Sequence, residues 1–235
     1  MTSDLFRDML EQPHLLIAGT TGSGKSVLIN GLMCEALKRP ATEVQFILLD
    51  PKKVELTDYI DLPHTVKYAS EPSDMMAALE YALNITELRF NVMQQQHVKK
   101  SRAADLYVVI DEFADLVLTN RKAQPVLQRL AQIGRAARVH TIAATQCPLA
   151  SVITTPIKVN YDARVGLRTR SAQDSRNILG HKGCEELPRC GKAYYMTPEG
   201  ESIIDIPMTD EVDITEAVYR WKLNYMMEKF LNTKF

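Results

Sequence analysis

Nothing in the sequence is long and apolar enough to cross a bilayer. The longest apolar runs, such as Leu15–Ala18 and Phe46–Leu49, fall far short of the roughly 20 residues a membrane span requires. No signal-peptide layout opens the chain, so the expectation is a soluble, cytoplasmic segment. Charge of one sign is also missing. With 28 basic and 29 acidic residues the net charge is −1, which excludes the global basic field that marks many DNA-binding domains. Any nucleic-acid contact must be local. Basic residues do gather, at Lys99-Lys100-Ser101-Arg102, at Arg121-Lys122, and at Arg129, Arg135 and Arg138, although each group alone reads as solvated surface. Cysteine is sparse: Cys34, Cys147, Cys184 and Cys190 form no disulfide framework. His181 with Cys184 and Cys190 fits no zinc-ribbon or finger spacing, so free thiols are expected. No repeat, low-complexity tract or linker divides residues 1–235, which read as one domain.

What is present is an alternation of strand-length apolar runs with helical periodicity, which predicts an α/β fold with a mainly parallel central sheet flanked by helices. The strands are expected at His14–Ala18, Val44–Leu49, Leu106–Ile110, Val139–Ala144 and Ala163–Leu167. A helix over Lys25–Lys38 should stop before Pro40. Ser73 has the chemistry to cap a long helix, Asp74–His97, with Met76, Leu79, Leu83, Leu88 and Val92 on its buried face. A further helix, Ala123–Ala137, turns Val126, Leu127, Leu130 and Ile133 inward, and a strand at Ser202–Ile206 and a helix at Glu211–Leu231 close the chain.

Gly19-Thr20-Thr21-Gly22-Ser23-Gly24-Lys25-Ser26 matches the phosphate-loop pattern G-x-x-x-x-G-K-[ST], placed between an apolar strand and a helix as that motif requires. Glycines let the backbone aim its N–H groups at phosphates, and the following helix adds the positive end of its dipole. Thr20, Thr21, Gly22, Ser23, Gly24, Lys25, Ser26 and Val27 are the expected nucleotide-binding residues. Lys25 would reach the β- and γ-phosphates, and Ser26 would ligate Mg²⁺.

Tyr107-Val108-Val109-Ile110-Asp111-Glu112 is an apolar strand ending in two acids. Asp111 is placed to share the magnesium with Ser26. Glu112 is placed to polarise an attacking water, which marks hydrolysis over transfer to an acceptor. A second apolar strand carries a polar amide at its tip, Gln146. If that strand lies between the phosphate-loop strand and the Asp111 strand, Gln146 faces the γ-phosphate as a sensor.

Together these stretches resemble the motor domain of the FtsK/SpoIIIE family, within the HerA-FtsK group of RecA-like P-loop ATPases. The likeness runs through PHLLIAGTTGSGKSVLIN, FILLDPKKVEL, LPH, VVIDEFADL, RLAQIGRAARVHTIAATQ and DSRNILG in family order, most of the chain between His14 and Tyr195. It implies the same five roles for Lys25, Ser26, Asp111, Glu112 and Gln146. It also implies ATP with Mg²⁺ as cofactors, and a hexameric ring with ATP between subunits. An arginine would then act in trans, either Arg89 or, as the alternative, Arg135. The implied function is an ATPase motor that translocates double-stranded DNA without reading its sequence. Conjugative or mobile-element transfer and chromosome partitioning are both settings for such a motor.

Departures temper the transfer. Cys147 stands where the family usually has arginine, the segment near Gln94–Asp105 is short and basic, and neither a winged-helix module nor a transmembrane segment is seen. Membrane attachment would come only from segments absent from this chain. The DNA reading places Lys99, Lys100, Arg102, Ser151, Thr154, Thr155 and Lys158 at the channel. The alternative is a type VII secretion-like or coupling ATPase that binds protein partners. A third reading is a nucleotide-binding interaction module with little turnover of its own.

Overall fold

Each strand inferred from an apolar run is present in the computed structural model, which describes residues 2–232. The strands are β1 (His14–Ala18), β2 (Val44–Leu49), β3 (Thr65–Ala69), β4 (Asp105–Ile110), β5 (Val139–Thr145), β6 (Ala163–Gly166), β7 (Lys192–Thr197) and β8 (Gly200–Asp205), in the sheet order β3-β2-β4-β5-β1-β6-β7-β8. The pairings among β1 to β6 are parallel, and β7 and β8 extend one edge antiparallel. β1 and β4 are buried along their whole length, as parallel strands covered on both faces must be.

The helices are α1 (Thr2–Glu11), α2 (Lys25–Ala36), α3 (Pro72–Gln95), α4 (Phe113–Thr119), α5 (Ala123–Ala137), α6 (Thr155–Asn160), α7 (Ala172–Leu179) and α8 (Glu211–Asn232). Successive strand residues point to opposite faces, so the sheet separates two cores. Leu16, Ile47, Leu49, Val108 and Ile110 pack with α3, α4 and α5. Leu15, Ile17, Phe46, Leu48 and Val109 pack with α1, α2 and α8 on the other side. Where α1 crosses α2 the ring of Phe6 lies so close to Gly31 that an added Cβ would collide with its tip unless the ring moved.

Two details of α3 differ from expectation. The helix begins at Pro72, after Glu71 in extended geometry, and not behind a Ser73 cap; proline in the first turn supplies the helical φ in advance. Its buried side is Met75, Met76, Ala78, Leu79, Ala82, Thr86 and Met93, while Leu88 and Val92 are exposed, at 62% and 42%. Leu88 lies two residues past Thr86, about 200° around the helix, so the stripe read through Leu88 had drifted off the face that meets the sheet. On α5, Leu127 and Leu130 are buried as expected, with Val126 and Ile133 half-buried at the margins.

The order of the sheet sets β5 between β1 and β4, with His14 level with Thr141 and Leu106 level with Val139. His14 is buried at the start of β1, and its Nδ1 takes the Thr141 backbone N–H at 3.2 Å, 2.8 Å from the hydroxyl of the same residue. Burial, reinforced by the nearby His140, lowers the His14 pKa from its ordinary 6.5 to about 3. The unfolded chain therefore binds a proton there that the folded chain refuses, and stability drains away as pH falls from 6.5 toward 3. In NMR titrations the His14 ring signals should hold their neutral position from pH 8 down to about 5; a midpoint near the ordinary histidine value would contradict this environment.

Candidate functional site

β1 ends at Ala18, α2 begins at Lys25, and the turn between them is the phosphate loop. Gly22 and Gly24 adopt φ values of 76° and 98°, left-handed conformations that glycine alone accepts without strain. The loop hangs from its neighbours: Gly19 N–H donates to Thr145 O at 3.2 Å, and Thr20 N–H to Arg168 O at 2.9 Å. No side chain caps the first turn of α2, so its leading N–H groups keep their capacity for an anion.

Lys25 lies beneath this loop, 4% exposed. Its Nζ donates to Asp111 O at 2.8 Å and to Asp111 Oδ1 at 2.7 Å. Asp111, at the tip of β4, is fully buried, and its Oδ2 has no hydrogen-bond partner among the described residues; Ser23 Oγ is in the same condition. An ionised carboxylate oxygen left without a donor is costly. A cation seated beside Ser26 and Asp111 would complete it, so the residues present fit a magnesium site.

Glu112 follows, 4% exposed. Its carboxylate accepts the Thr145 hydroxyl and the Gln146 N–H at 3.1 and 3.2 Å, and Lys52 Nζ lies 3.3 Å away. Gln146 Oε1 in turn accepts the Thr21 hydroxyl at 2.7 Å. The tips of β4 and β5 and the phosphate loop are thus one connected network. Beside it a cavity of about 320 Å³ is lined by the loop residues 20–22 and 24–27 together with Glu55, Gln146 and Cys190.

Sequence reading missed Thr145 and Lys52 as partners of Glu112. Lys52 is delivered by a turn after β2 in which the buried Asp50 carboxylate accepts the N–H groups of Lys52, Val54 and Leu56 at 3.2, 2.9 and 3.1 Å. The aspartate-proline pair at the end of β2 was the signal for that turn.

Other expected residues do not join the site. Arg89 sits at the opposite end of the strands, where its Nη1 donates to Ala137 O at 2.8 Å and Arg138 O at 3.0 Å at the end of α5. Arg135 is exposed on the last turn of the same helix. Lys99, Lys100 and Arg102 share that end, since Ser101 N–H donates to Ala136 O at 2.9 Å. Ser151, Thr154 and Thr155 instead follow β5 on the phosphate side, so the two proposed groups of channel residues leave opposite ends of the strands.

A model of the FtsK/SpoIIIE family matches residues 1–107 and 102–150. The chain belongs to the FtsK/SpoIIIE family. It is 34% identical to the DNA translocase FtsK of Rickettsia typhi over 90% of its own length and 35% of that protein's, and 35% identical to that of Helicobacter pylori strain 26695 over 90% and 27%. It thus spans about a third of the length of these relatives. Among solved structures it is similar to the pCW3 conjugation coupling protein TcpA in monomer form with ATPγS (TM-score 0.79, 22% identity, 90% of this chain and 66% of that one). It is also similar to the cytoplasmic domain of the Thermomonospora curvata type VII secretion ATPase EccC (TM-score 0.73, 22% identity, 90% and 28%). The fold is the RecA-like P-loop fold, and no helix among the described residues is long and apolar enough to cross a membrane.

Lys25 and Asp111 are too deeply buried for either to lose its partner cheaply. Lys25→Met or Asp111→Leu alone should lower unfolding free energy by about 3 kcal/mol, the double replacement by clearly less than the sum. Urea denaturation of the four proteins reads the coupling, and strict additivity would show that the pair is not formed in solution.

Proposed function

We propose that residues 1–235 are a single motor domain that hydrolyses ATP in the cytoplasm and, assembled as a ring of six copies, moves double-stranded DNA independently of its sequence. The observation that carries the reading is the network joining Glu112, Thr145, Gln146 and Thr21, which ties a buried carboxylate to the rim of a phosphate loop. In this reading the loop N–H groups and Lys25 cradle the β- and γ-phosphates, and Ser26 and Asp111 hold Mg²⁺. The metal, when bound, neutralises charge on the phosphate oxygens. Glu112 accepts a proton from the water that attacks the γ-phosphorus, ADP and phosphate leave, and Gln146 reports loss of the γ-phosphate through Thr21 to the tip of β5. Family membership and the DNA translocase relatives support DNA as the cargo.

Arg89 is the proposed trans-acting arginine and Arg135 the alternative. Both stand at the end away from the chain's own loop, so either reaches a γ-phosphate only across a subunit boundary. Arg89 would do so with the guanidinium nitrogens other than Nη1.

The test is steady-state ATP hydrolysis against protein concentration, with and without long duplex DNA at low salt. Turnover should rise steeply with concentration and again with DNA, and Glu112→Gln should reduce it at least a hundredfold, about the worth of a general base. Thr145→Val should lower kcat with little change in nucleotide affinity, and Thr145→Ser should restore it. Activity that ignores both concentration and DNA would reject the DNA motor in favour of a protein-coupling ATPase.

A further inference from the structure

A second cation stands over the phosphate loop. The segment between α7 and β7 brings Arg189 against Gly22: a Cβ added at Gly22 would stand 3.5 Å from its Nη2, 3.6 Å from Nε and 4.0 Å from Cζ. The whole guanidinium therefore faces a loop residue that offers no side chain. The next two residues continue along the same loop. Cys190 lines the cavity there, and the Gly191 nitrogen lies 4.0 Å from where a Cβ of Gly24 would be. This segment is held at both ends, by the buried Leu187 before it and by the Ile206 N–H donating to Gly191 O at 2.8 Å after it. Gly191 turns with φ 87°.

Among the described residues no carboxylate pairs with Arg189 and no acceptor bonds its guanidinium, although it is exposed. An arginine placed against a loop built to bind anions, with its donors unspent, has one chemical class of partner at hand. We propose that Arg189 is a phosphate-binding residue, acting in cis on the phosphate chain of the nucleotide held by Gly22–Ser26. This inference rests on the nucleotide reading of the loop. The planar fork can engage two phosphate oxygens at once, where a lysine acts as a point charge, and the exposed Arg189 adds a second cation to the buried Lys25. The family match ends at residue 150, and neither the phosphate-loop motif nor the acid pair points to Arg189. It is found only because a distant segment folds back onto Gly22.

The experiment is calorimetric binding of ATP and of inorganic tripolyphosphate to the wild-type chain, Arg189→Ala and Arg189→Lys, with thermal melting of each. Arg189→Ala should weaken both probes by about tenfold, the scale of a charge-assisted hydrogen bond, with an unchanged melting temperature. Arg189→Lys should recover only part of the affinity. Loss for ATP with none for tripolyphosphate would move the guanidinium to the base or ribose and overturn the proposal. Equal binding by the wild-type chain and Arg189→Ala would also sink it while leaving the nucleotide reading intact. A wild-type chain that binds neither probe would remove both.

Discussion

The site depends on a lysine and an aspartate withdrawn from water and 2.7 Å apart. Neither charge could be buried alone, because the cost of desolvating an unpaired ion exceeds what a marginally stable domain can absorb. Lys25 opens α2 and Asp111 follows β4, so the pair joins elements far apart in sequence, and β1, the strand that leads into α2, is not a neighbour of β4 in the sheet. β5 lies between β1 and β4, and its tip supplies Thr145 and Gln146 to the adjacent carboxylate. Sheet order thus decides the chemistry: exchanging β5 with β6 would leave Glu112 without its two donors.

The two ends of the strands are treated differently. At the end away from the phosphate loop, Asp105 is also a buried acid. It receives Arg138 Nε and Nη2 at 2.8 and 2.7 Å, Arg39 Nη2 at 2.8 Å and lies 3.2 Å from His140 Nε2. Burial opposes its charge, but the hydrogen bonds from His140, Arg138 and Arg39 outweigh it and hold the carboxyl well below the usual carboxylate range. Both of its oxygens are occupied, so that end behaves as a closed structural clamp joining β4 and β5 to the segment after α2. Asp111 leaves one oxygen bare. The contrast between a saturated acid and an unsaturated one, at opposite ends of one strand, singles out the Asp111 end as the one with capacity left to bind, without reference to any relative.

The five main strands were legible because each is a short apolar run whose burial on both faces leaves little choice of residue. Leu88 and Val92 were misread for the complementary reason. Helical spacing shows that a face is apolar but not which neighbour it meets, and α3 turns only one side to the sheet. β3 and β7 escaped notice because their residues are mixed, with β3 mostly half-buried; they join the sheet through register with a neighbour and not through their own pattern. Within the site, Lys25, Ser26, Asp111 and Glu112 were readable from local strings. Thr145 and Lys52 were not, because what matters about them is proximity to Glu112 across 33 and 60 residues of chain.

The same distinction bears on how the site is held before any nucleotide arrives. Glu112 is restrained by Thr145, Gln146 and Lys52 together, and Gln146 is restrained in turn by Thr21 of the loop. A phosphate entering the loop competes for the Thr21 hydroxyl, and whatever it releases at Gln146 is felt at Glu112 through a single residue. Lys52 is the half-exposed member of the set, at 39%, and so the one most easily drawn away by an incoming negative charge. Because Lys52 rides on the turn that Asp50 organises at the end of β2, its movement would be passed to that strand. Glu112 and the strand ends beside it are therefore coupled by contacts already in place, and binding has only to redistribute them.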